Sequence, residues 1–292
     1  MVTLTHDVIH TYIPERFSES NKGSYGSILN IAGSVNYRGA AYLSSMSALA
    51  IGAGYVTLAC SESVADTVAG LTPNLITVPL PATDGCIAKR AIRVIRNILG
   101  KYTVVSIGCG LSNIYGISRS LQMFFLQMLS LLCEQRIPTV VDADGLNILS
   151  SLKDVQLPER VILTPHPGEL SRLLHIDVAS IQSDRVRYAT EAARHFSAVV
   201  VLKGHRTVIT DGDAVYINET GNSALAKAGT GDVLTGMTAG LCAQGLSPLQ
   251  AACAAVYLHG MAGELAASEL TEYGVCASDL MRYIPLVIRT VL

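Results

Sequence analysis

The sequence predicts an α/β fold with a largely parallel central sheet. Short apolar segments alternate with longer segments of helical character, and no internal repeat or low-complexity linker interrupts them. Glycine, acidic, basic or histidine residues follow directly after five of these segments, at Gly33, Gly108, Asp142, His166 and Lys203. Ligands bind beyond the carboxyl ends of the strands in open α/β sheets. We therefore expect one domain over residues 1–292, with one cleft that these five clusters share.

The predicted strands are apolar, β-branched runs bounded by turn residues. In chain order they are Ser27–Ile31, Tyr55–Ala59, Leu75–Val78, Thr103–Ile107, Thr139–Val141, Val161–Leu163, Ala198–Leu202, Thr207–Thr210 and Ala214–Ile217. The last three predict a hairpin arrangement, because Asp211-Gly212 is a turn sequence between two of them.

The predicted helices follow from apolar spacing and from residues that favour helix starts. They cover 6–17, 39–52, a segment capped by Ser61, 88–99, about 117–133, a segment from Gly168-Glu169, 180–196, and most of the chain after Asp232.

Composition excludes several classes of function. The chain has 292 residues, 50% hydrophobic and 15% charged, with a net charge of −2, so it has no basic field for nucleic acid or an anionic membrane. Seven cysteines without a CxxC pair are typical of reduced thiols, which favours a cytoplasmic protein. Gly39–Ser61 and Val233–Leu258 lack charge, but polar residues, Gly245 and Pro248 interrupt them and no Lys/Arg cluster flanks them, which favours core helices over membrane spans.

The sequence Gly229-Thr230-Gly231-Asp232 opens a long apolar helical region. Unpaired N–H groups at a helix start, together with the helix dipole, form an anion site, and glycines let phosphate approach the backbone. A tight turn with a capping acid is the alternative. The pattern is neither G-x-G-x-x-G after a strand nor a P-loop. An acid beside a phosphate site suggests a place where a hydroxyl loses its proton as phosphate arrives.

Three further clusters carry candidate chemistry. The loop Lys203-Gly204-His205-Arg206-Thr207 could hold nucleotide phosphates or be a hairpin with solvated charges. In TPHPGE, His166 lies between two prolines and is favoured as a ligand contact, whereas Glu169 could simply complement a helix dipole.

In DADGLN, Asp142 and Asp144 could orient Mg²⁺ through water, or could be a capping pair at a helix start. His259, in an apolar helix, is expected to be a satisfied core histidine.

Five segments together resemble the ADP/ATP-dependent NAD(P)H-hydrate dehydratase family of the ribokinase-like superfamily, over about Lys22 to Ala267. These segments are AGSVNYRGAAYLSSMSALAIGAGYV, VVDADGLNIL, ILTPHPGEL, VVLKGHRTVITDG and GNSALAKAGTGDVLTGMTAGLCAQG. The resemblance implies a three-layer αβα sandwich. It also suggests the stand-alone form, without the N-terminal epimerase domain that some members carry.

The resemblance implies that the substrate is the S-form of hydrated NADH or NADPH, whose C6 hydroxyl is phosphorylated by ADP or ATP before phosphate is lost. ADP is the typical donor of stand-alone bacterial members, Mg²⁺ assists, and members are often tetramers.

By position, the hydrate contacts are expected at Ala41, Gly110, His166 and Asp232, the nucleotide contacts at Lys203, Gly204, His205, Arg206, Thr207 and Gly231, and the anion hole at Gly229, Thr230 and Gly231. Further candidates are Gly39, Ala40, Gly108, Asp142, Asn147, Glu169 and Asn222. The family loop GPGLG is replaced by GCGLS at 108–112. The alternatives are a kinase of a small vitamin-precursor alcohol and a non-catalytic nucleotide-binding protein.

Overall fold

A computed structural model describes residues 1–152 and 155–292 of the chain. The strands are β1 (Val2–Thr3), β2 (Ser27–Ile31), β3 (Tyr55–Ser61), β4 (Ile76–Leu80), β5 (Ala82–Thr83), β6 (Cys86–Ile87), β7 (Val104–Ile107), β8 (Thr139–Val141), β9 (Val161–Leu163), β10 (Val199–Leu202), β11 (Thr207–Thr210) and β12 (Val215–Asn218). Across these described ranges, ten of the strands form one sheet in the order β1-β12-β11-β10-β9-β8-β7-β2-β3-β4.

The sheet is parallel except at the predicted hairpins. Strand β11 pairs antiparallel with both β10 and β12, and every other pair in this sheet is parallel. The prediction of a largely parallel sheet is therefore confirmed. Strand β1 and the small β5–β6 hairpin were not predicted, because two-residue strands are too short to show a pattern.

Twelve α-helices lie in the parts of the chain that the structure describes. They are α1 (His6–His10), α2 (Arg38–Ala50), α3 (Glu62–Leu71), α4 (Ile92–Ile98), α5 (Arg119–Gln135), α6 (Asp144–Ser150), α7 (Pro167–Leu174), α8 (Val178–Ser183), α9 (Arg185–Phe196), α10 (Thr230–Ala243), α11 (Pro248–Gly274) and α12 (Leu280–Val291). None of the described helices is long and apolar enough to cross a membrane.

Two predicted helices are shorter in the structure. The segment 6–17 is helical only over His6–His10, and 88–99 is a 3₁₀ turn at Lys89–Ala91 followed by α4. The C-terminal helical region begins at Thr230, two residues earlier than predicted. It is divided at Gly245, where a positive φ of 100° ends one helix before Ser247 caps the next.

Successive residues of each central strand point to opposite faces of the sheet, and helices cover both faces. Ile28 and Val104 pack in one apolar cluster with residues of α10, α11 and α12. Their neighbours Leu29 and Val105 pack in a second cluster with residues of α5 and α9. This alternation is the two-residue period of a strand, and it makes three layers with the sheet in the middle.

Helix α10 lies directly against α2, which fixes its position over the sheet. A Cβ on Gly236 would overlap the Ser44 carbonyl oxygen and the Ser47 hydroxyl. Only glycine permits this close approach of the two helices. The start of α10, with the GTGD sequence, is consequently held at the edge of the sheet where the central parallel strands end.

Candidate active site

The five predicted clusters lie at one edge of the sheet. They follow β2, β7, β8, β9 and β10, which are consecutive neighbours in the sheet and are all parallel. The carboxyl ends of parallel neighbours lie at the same edge, so the loops after them adjoin one another. The strand order thus places the five loops at one edge of the sheet, and a cleft shared by all five stays a prediction.

A buried ion pair joins two of these loops. Lys203 Nζ lies 2.8 Å from Asp142 Oδ1, and the Asp142 side chain is almost fully buried. The Thr235 hydroxyl donates to Asp142 Oδ2 at 2.6 Å, one turn along α10 from the GTGD sequence. Burial alone would raise the pKa of Asp142, but the adjacent Lys203 ammonium holds it below its ordinary value. The pair is therefore ionised at neutral pH.

The GTGD turn has the geometry of an anion site, with one change from the prediction. Gly229 has a φ of 91°, which favours glycine, and a Cβ there would lie 2.7 Å from Leu43 Cδ1. The Thr230 N–H donates to the Lys227 carbonyl at 3.4 Å, so it is not free as expected. Within residues 1–152 and 155–292, the N–H groups of Gly229, Gly231 and Asp232 have no acceptor.

Lys203 and Asp142 lie beside this turn. A Cβ placed on Gly231 would be 3.5 Å from Lys203 Nζ and 3.9 Å from Asp142 Oδ2. The ammonium group and the free N–H groups therefore face the same small volume. A phosphoryl group in that volume would meet positive charge from both.

Asp232 is the third residue of α10 and is half-buried. Burial and, to a smaller extent, the nearby Asp142 carboxylate raise its pKa to about 6, while Lys203 opposes the shift. A carboxylate with this pKa is mostly ionised at pH 7, yet it holds a proton far better than an exposed aspartate. It is therefore suited to accept a proton from a hydroxyl group.

His166 and Glu169 form a reciprocal cap at the start of α7. His166 Nδ1 accepts the N–H groups of Gly168 and Glu169, while Glu169 Oε2 accepts the His166 N–H at 2.8 Å. The His166 side chain is half exposed at the sheet edge, whereas Glu169 is buried. Burial and the Lys203 charge lower the pKa of His166, so its imidazole is neutral and Nε2 carries the proton.

Glu169 is more than the helix-dipole partner that the sequence permits. Its Oε2 lies 3.8 Å from Lys203 Nζ, so Lys203 has an acid on either side. Burial raises the pKa of Glu169 to about 7, although Lys203 lowers it.

The predicted nucleotide loop lines a cavity of about 440 Å³. The whole segment Lys203–Thr207 lies on its wall, with Thr230 and Gly231 of the GTGD turn, Asn222 and apolar residues of α10 and α11. Arg206 pairs with Glu219 at 3.0 Å across the hairpin. The loop thus borders a cavity and is not simply a solvated hairpin.

The loop after β7 borders the start of α2. A Cβ on Gly110 would lie 2.6 Å from Tyr37 Cβ and 2.9 Å from Ala40 Cβ. Ala41 is fully buried, so its side chain is unavailable for the expected ligand contact, and Ala40 borders Gly110 instead. Gly39 is exposed at the start of α2, and Gly108 lies against the backbone of Asp142.

The acids of DADGLN do not form the capping pair that was one alternative. The Asp142 carboxylate accepts hydrogen bonds from Lys203 and Thr235. Asp144 Oδ2 accepts the Ser112 N–H at 2.8 Å. Asn147 Oδ1 accepts from Arg172 Nε at 3.0 Å, which ties α6 to α7.

No group of three or more His, Cys, Asp or Glu side chains within the described ranges could hold a metal ion. The described residues therefore offer no ready-made set of side-chain ligands for a cation. Mg²⁺ usually keeps several waters and binds through substrate phosphates, so this donor set fits Mg²⁺ that arrives with a nucleotide.

Three contributors to the site were missed by sequence reasoning. Thr235 is three residues after Asp232, and helical spacing could have placed the two on one face. Arg185 Nη2 donates to the carbonyls of Leu202 and Lys203, 17 and 18 residues away, which no local pattern reveals. His259 was expected to be a satisfied core histidine, but it lines the cavity and its Nε2 has no hydrogen-bond partner among the described residues.

Comparisons with known proteins identify relatives of this chain. A family model described as NAD(P)H-hydrate dehydratase matches residues 28–286. The bifunctional NAD(P)H-hydrate repair enzyme Nnr of Moorella thermoacetica is 40% identical over 290 residues, which are 98% of this chain and 53% of that protein. The chain thus spans about half the length of such bifunctional relatives.

Two comparisons with proteins of Bacillus subtilis extend over almost the full length of this chain and of the matched protein. Its ADP-dependent (S)-NAD(P)H-hydrate dehydratase is 37% identical over 291 residues, 97% of this chain and 96% of that protein. The crystal structure of its ADP/ATP-dependent NAD(P)H-hydrate dehydratase, co-crystallised with ATP/Mg²⁺, has a TM-score of 0.85 and 34% identity, covering 100% of this chain and 99% of that one. The chain, with its ribokinase-like fold, therefore belongs to the NAD(P)H-hydrate dehydratase family.

Proposed function

We propose that the protein is an ADP-dependent (S)-NAD(P)H-hydrate dehydratase. Family membership supports the substrate class. The observation that carries the mechanism is Asp232, whose burial raises its pKa to about 6, placed at a turn with free N–H groups beside the Lys203 ammonium. A base and an anion site in one small volume suit transfer of a phosphoryl group to a hydroxyl.

The first step phosphorylates the C6 hydroxyl of the hydrated nicotinamide ring. The hydroxyl oxygen forms a bond to the terminal phosphorus of ADP, the bond to the bridging oxygen breaks, and AMP leaves. Asp232 accepts the hydroxyl proton. The free N–H groups of Gly229 and Gly231, with Lys203, stabilise the charge of the moving group, which is the main requirement of phosphoryl transfer.

The second step is elimination. The C6–O bond breaks and its electron pair leaves with phosphate, while the neighbouring C5 loses a proton so that the C5–C6 double bond returns. Of the hydroxyl proton and the C5 proton, one stays on the departing phosphate and the other is released to water. The sum is hydrate plus ADP giving NAD(P)H, AMP, phosphate and one proton. The phosphate formed remains beside the same anion site until it dissociates.

The nucleotide would occupy the cavity of about 440 Å³ bordered by Lys203–Thr207, with Asn222 on its wall. The hydrate would lie on the other side of Asp232, against Gly110, Ala40 and the half-exposed His166. The neutral His166 imidazole has an N–H at Nε2 for a substrate carbonyl or hydroxyl oxygen.

Mg²⁺ is proposed to accompany the nucleotide, with phosphate oxygens and water as its ligands. When bound, it neutralises phosphate charge. Three properties stay predictions from the sequence. They are a single domain over residues 1–292, assembly as a homo-oligomer such as a tetramer, and a cytoplasmic location.

The assay incubates the protein with hydrated NADH and ADP, or ATP, and follows the recovery of the reduced-nicotinamide absorbance. Recovery of NADH that requires nucleotide supports the proposal, and comparing the two donors tests the ADP preference. The family fold also suits a small-alcohol kinase. Phosphorylation of a thiazole or pyrimidine alcohol, without NADH recovery, would replace the dehydratase proposal by that alternative. Nucleotide binding with neither reaction would identify a non-catalytic binding protein.

A further inference from the structure

His259 is a buried polar residue that the mechanism above does not use. It lies on α11, and only 8% of its surface is exposed. Val256, His259 and Gly260 all line the cavity of about 440 Å³, and their spacing of three and four residues places them on one face of the helix. The imidazole is therefore part of the wall of the cavity that the Lys203–Thr207 loop also lines.

The His259 ring has an unmet hydrogen-bonding requirement. Its Nε2 has no partner among residues 1–152 and 155–292. The side chains of Leu234 and Val256, which line the same cavity, are apolar and offer no hydrogen-bond donor or acceptor. Burial, with a smaller contribution from the positive Lys203, lowers the pKa of His259 to about 4, whereas a hydrogen-bonding contact between the ring and the Thr230 backbone opposes this shift. The ring is therefore neutral at pH 7, with one nitrogen that donates and one that accepts.

A merely structural histidine would be expected to have both ring nitrogens satisfied by the protein, because an unpaired buried polar group destabilises the fold. The residues of α11 next to His259 in sequence contact the segment that contains Thr220 and Gly221. The Thr220 hydroxyl donates to the Tyr257 carbonyl at 2.9 Å, and a Cβ on Gly221 would lie 3.3 Å from Gly260 Cα. These contacts hold α11 against Thr220 and Gly221, which also line the cavity.

We infer that His259 is a nucleotide-positioning residue, whose neutral imidazole hydrogen-bonds a ribose or phosphate oxygen of the donor in this cavity. The inference rests on the proposed function, since it takes ADP as the occupant. A neutral ring suits this position, because an imidazolium would sit beside the Lys203 ammonium and be repelled by it.

The test compares His259→Leu, which removes the hydrogen bond, with His259→Gln, which retains a donor and an acceptor. Cys253→Ala is the control, because Cys253 is buried on the same helix and does not line the cavity. ADP affinity is measured by calorimetry, together with the Tm of each protein with and without ADP.

We expect His259→Leu to raise the Kd and KM for ADP about tenfold, the ratio for loss of one hydrogen bond, with kcat at saturating ADP and the KM for the hydrate little changed. Its Tm without ADP should equal or exceed that of the wild type, because an unpaired buried group is gone, while the Tm increase caused by ADP shrinks. His259→Gln should recover most of the affinity, and Cys253→Ala should bind ADP normally.

An unchanged Kd in His259→Leu with a lowered Tm would overturn the inference and make His259 a structural residue. That outcome leaves the proposed function intact. Absence of ADP binding by the wild-type protein would instead contradict the proposed function itself, so the two failures are distinguishable.

Discussion

The Lys203 ammonium lies 2.8 Å from the Asp142 carboxylate, and this buried contact joins the ends of β10 and β8. Lys203 belongs to the candidate nucleotide loop, while Asp142 also accepts a hydrogen bond from Thr235 of α10. Three elements that are distant in sequence therefore meet at one pair of charges. The position of Lys203 beside Gly231 depends on that pair.

Lys203→Met is expected to lower the free energy of unfolding by about 3–5 kcal/mol, because it leaves the buried Asp142 carboxylate unpaired. The double variant Lys203→Met with Asp142→Leu should recover much of this loss, since neither charge remains. Neither protein should turn over hydrate with ADP. Urea denaturation of both single variants and the double variant measures stability, and losses that simply add in the double variant would show that the pair is not coupled.

Asp232→Asn is expected to reduce turnover by about 10²–10⁴, because the substituted amide cannot accept the hydroxyl proton, while ADP binding persists. The control is Asp66→Asn, an exposed acid on α3 that should leave the rate unchanged. Turnover is followed by NADH recovery and binding by calorimetry. A normal rate in Asp232→Asn would remove Asp232 from the role of base.

The pH profile should report the same group. Because only ionised Asp232 accepts a proton and its pKa is about 6, kcat/KM should increase about tenfold per pH unit below 6 and level off above it. The Asp66→Asn control should follow the wild-type profile. A rate that is flat between pH 5 and 7 would contradict the assignment.

Asp232 should also affect stability, with a definite sign. Its folded pKa lies above the unfolded value, so its contribution is most favourable at low pH and declines as the pH rises from about 4 to 6. Asp232→Asn should therefore raise the free energy of unfolding by about 2 kcal/mol at pH 8, after allowance for partial exposure, and by almost nothing near pH 3.5. Denaturation at the two pH values checks this, and a variant less stable than the wild type at pH 8 would refute the raised pKa of Asp232.

Thr235→Val removes the hydroxyl that donates to Asp142 with little change in shape. The expected loss is about 1.5–3 kcal/mol, the range for a hydrogen bond to a charged group. Thr238→Val is a matched control one turn along α10, because its hydroxyl donates only to the Leu234 carbonyl. Equal losses in the two variants, measured by denaturation, would mean that the Asp142 contact adds nothing.

The sequence predicted those parts of the site that depend on local pattern. The parallel sheet followed from apolar runs, and the clusters after five strands lie at one edge because parallel neighbours end together. The GTGD turn was recognisable because glycines and an acid precede an apolar helix. The interruption of the following helical region at Gly245 was also visible in the sequence.

Other parts depend on contacts between distant residues. Asp142 and Lys203 are 61 residues apart, and no pattern pairs them. The Lys227 carbonyl accepts a hydrogen bond from the Thr230 N–H, although the position at a helix start alone suggests that this N–H is free. Ala41 is buried by Gly33 and its neighbours, a packing result that motif matching cannot show. His259 lies in an apolar helix, and only the cavity distinguishes it from a core residue.

The most direct test of the central claim measures products in one reaction of the purified protein with (S)-hydrated NADH and ADP. The proposed mechanism predicts one NADH, one AMP and one phosphate for each hydrate consumed, and formation of all three slowed by about 10²–10⁴ with Asp232→Asn. NADH formed without AMP, or AMP formed with a stable phosphorylated alcohol and no NADH, would contradict it.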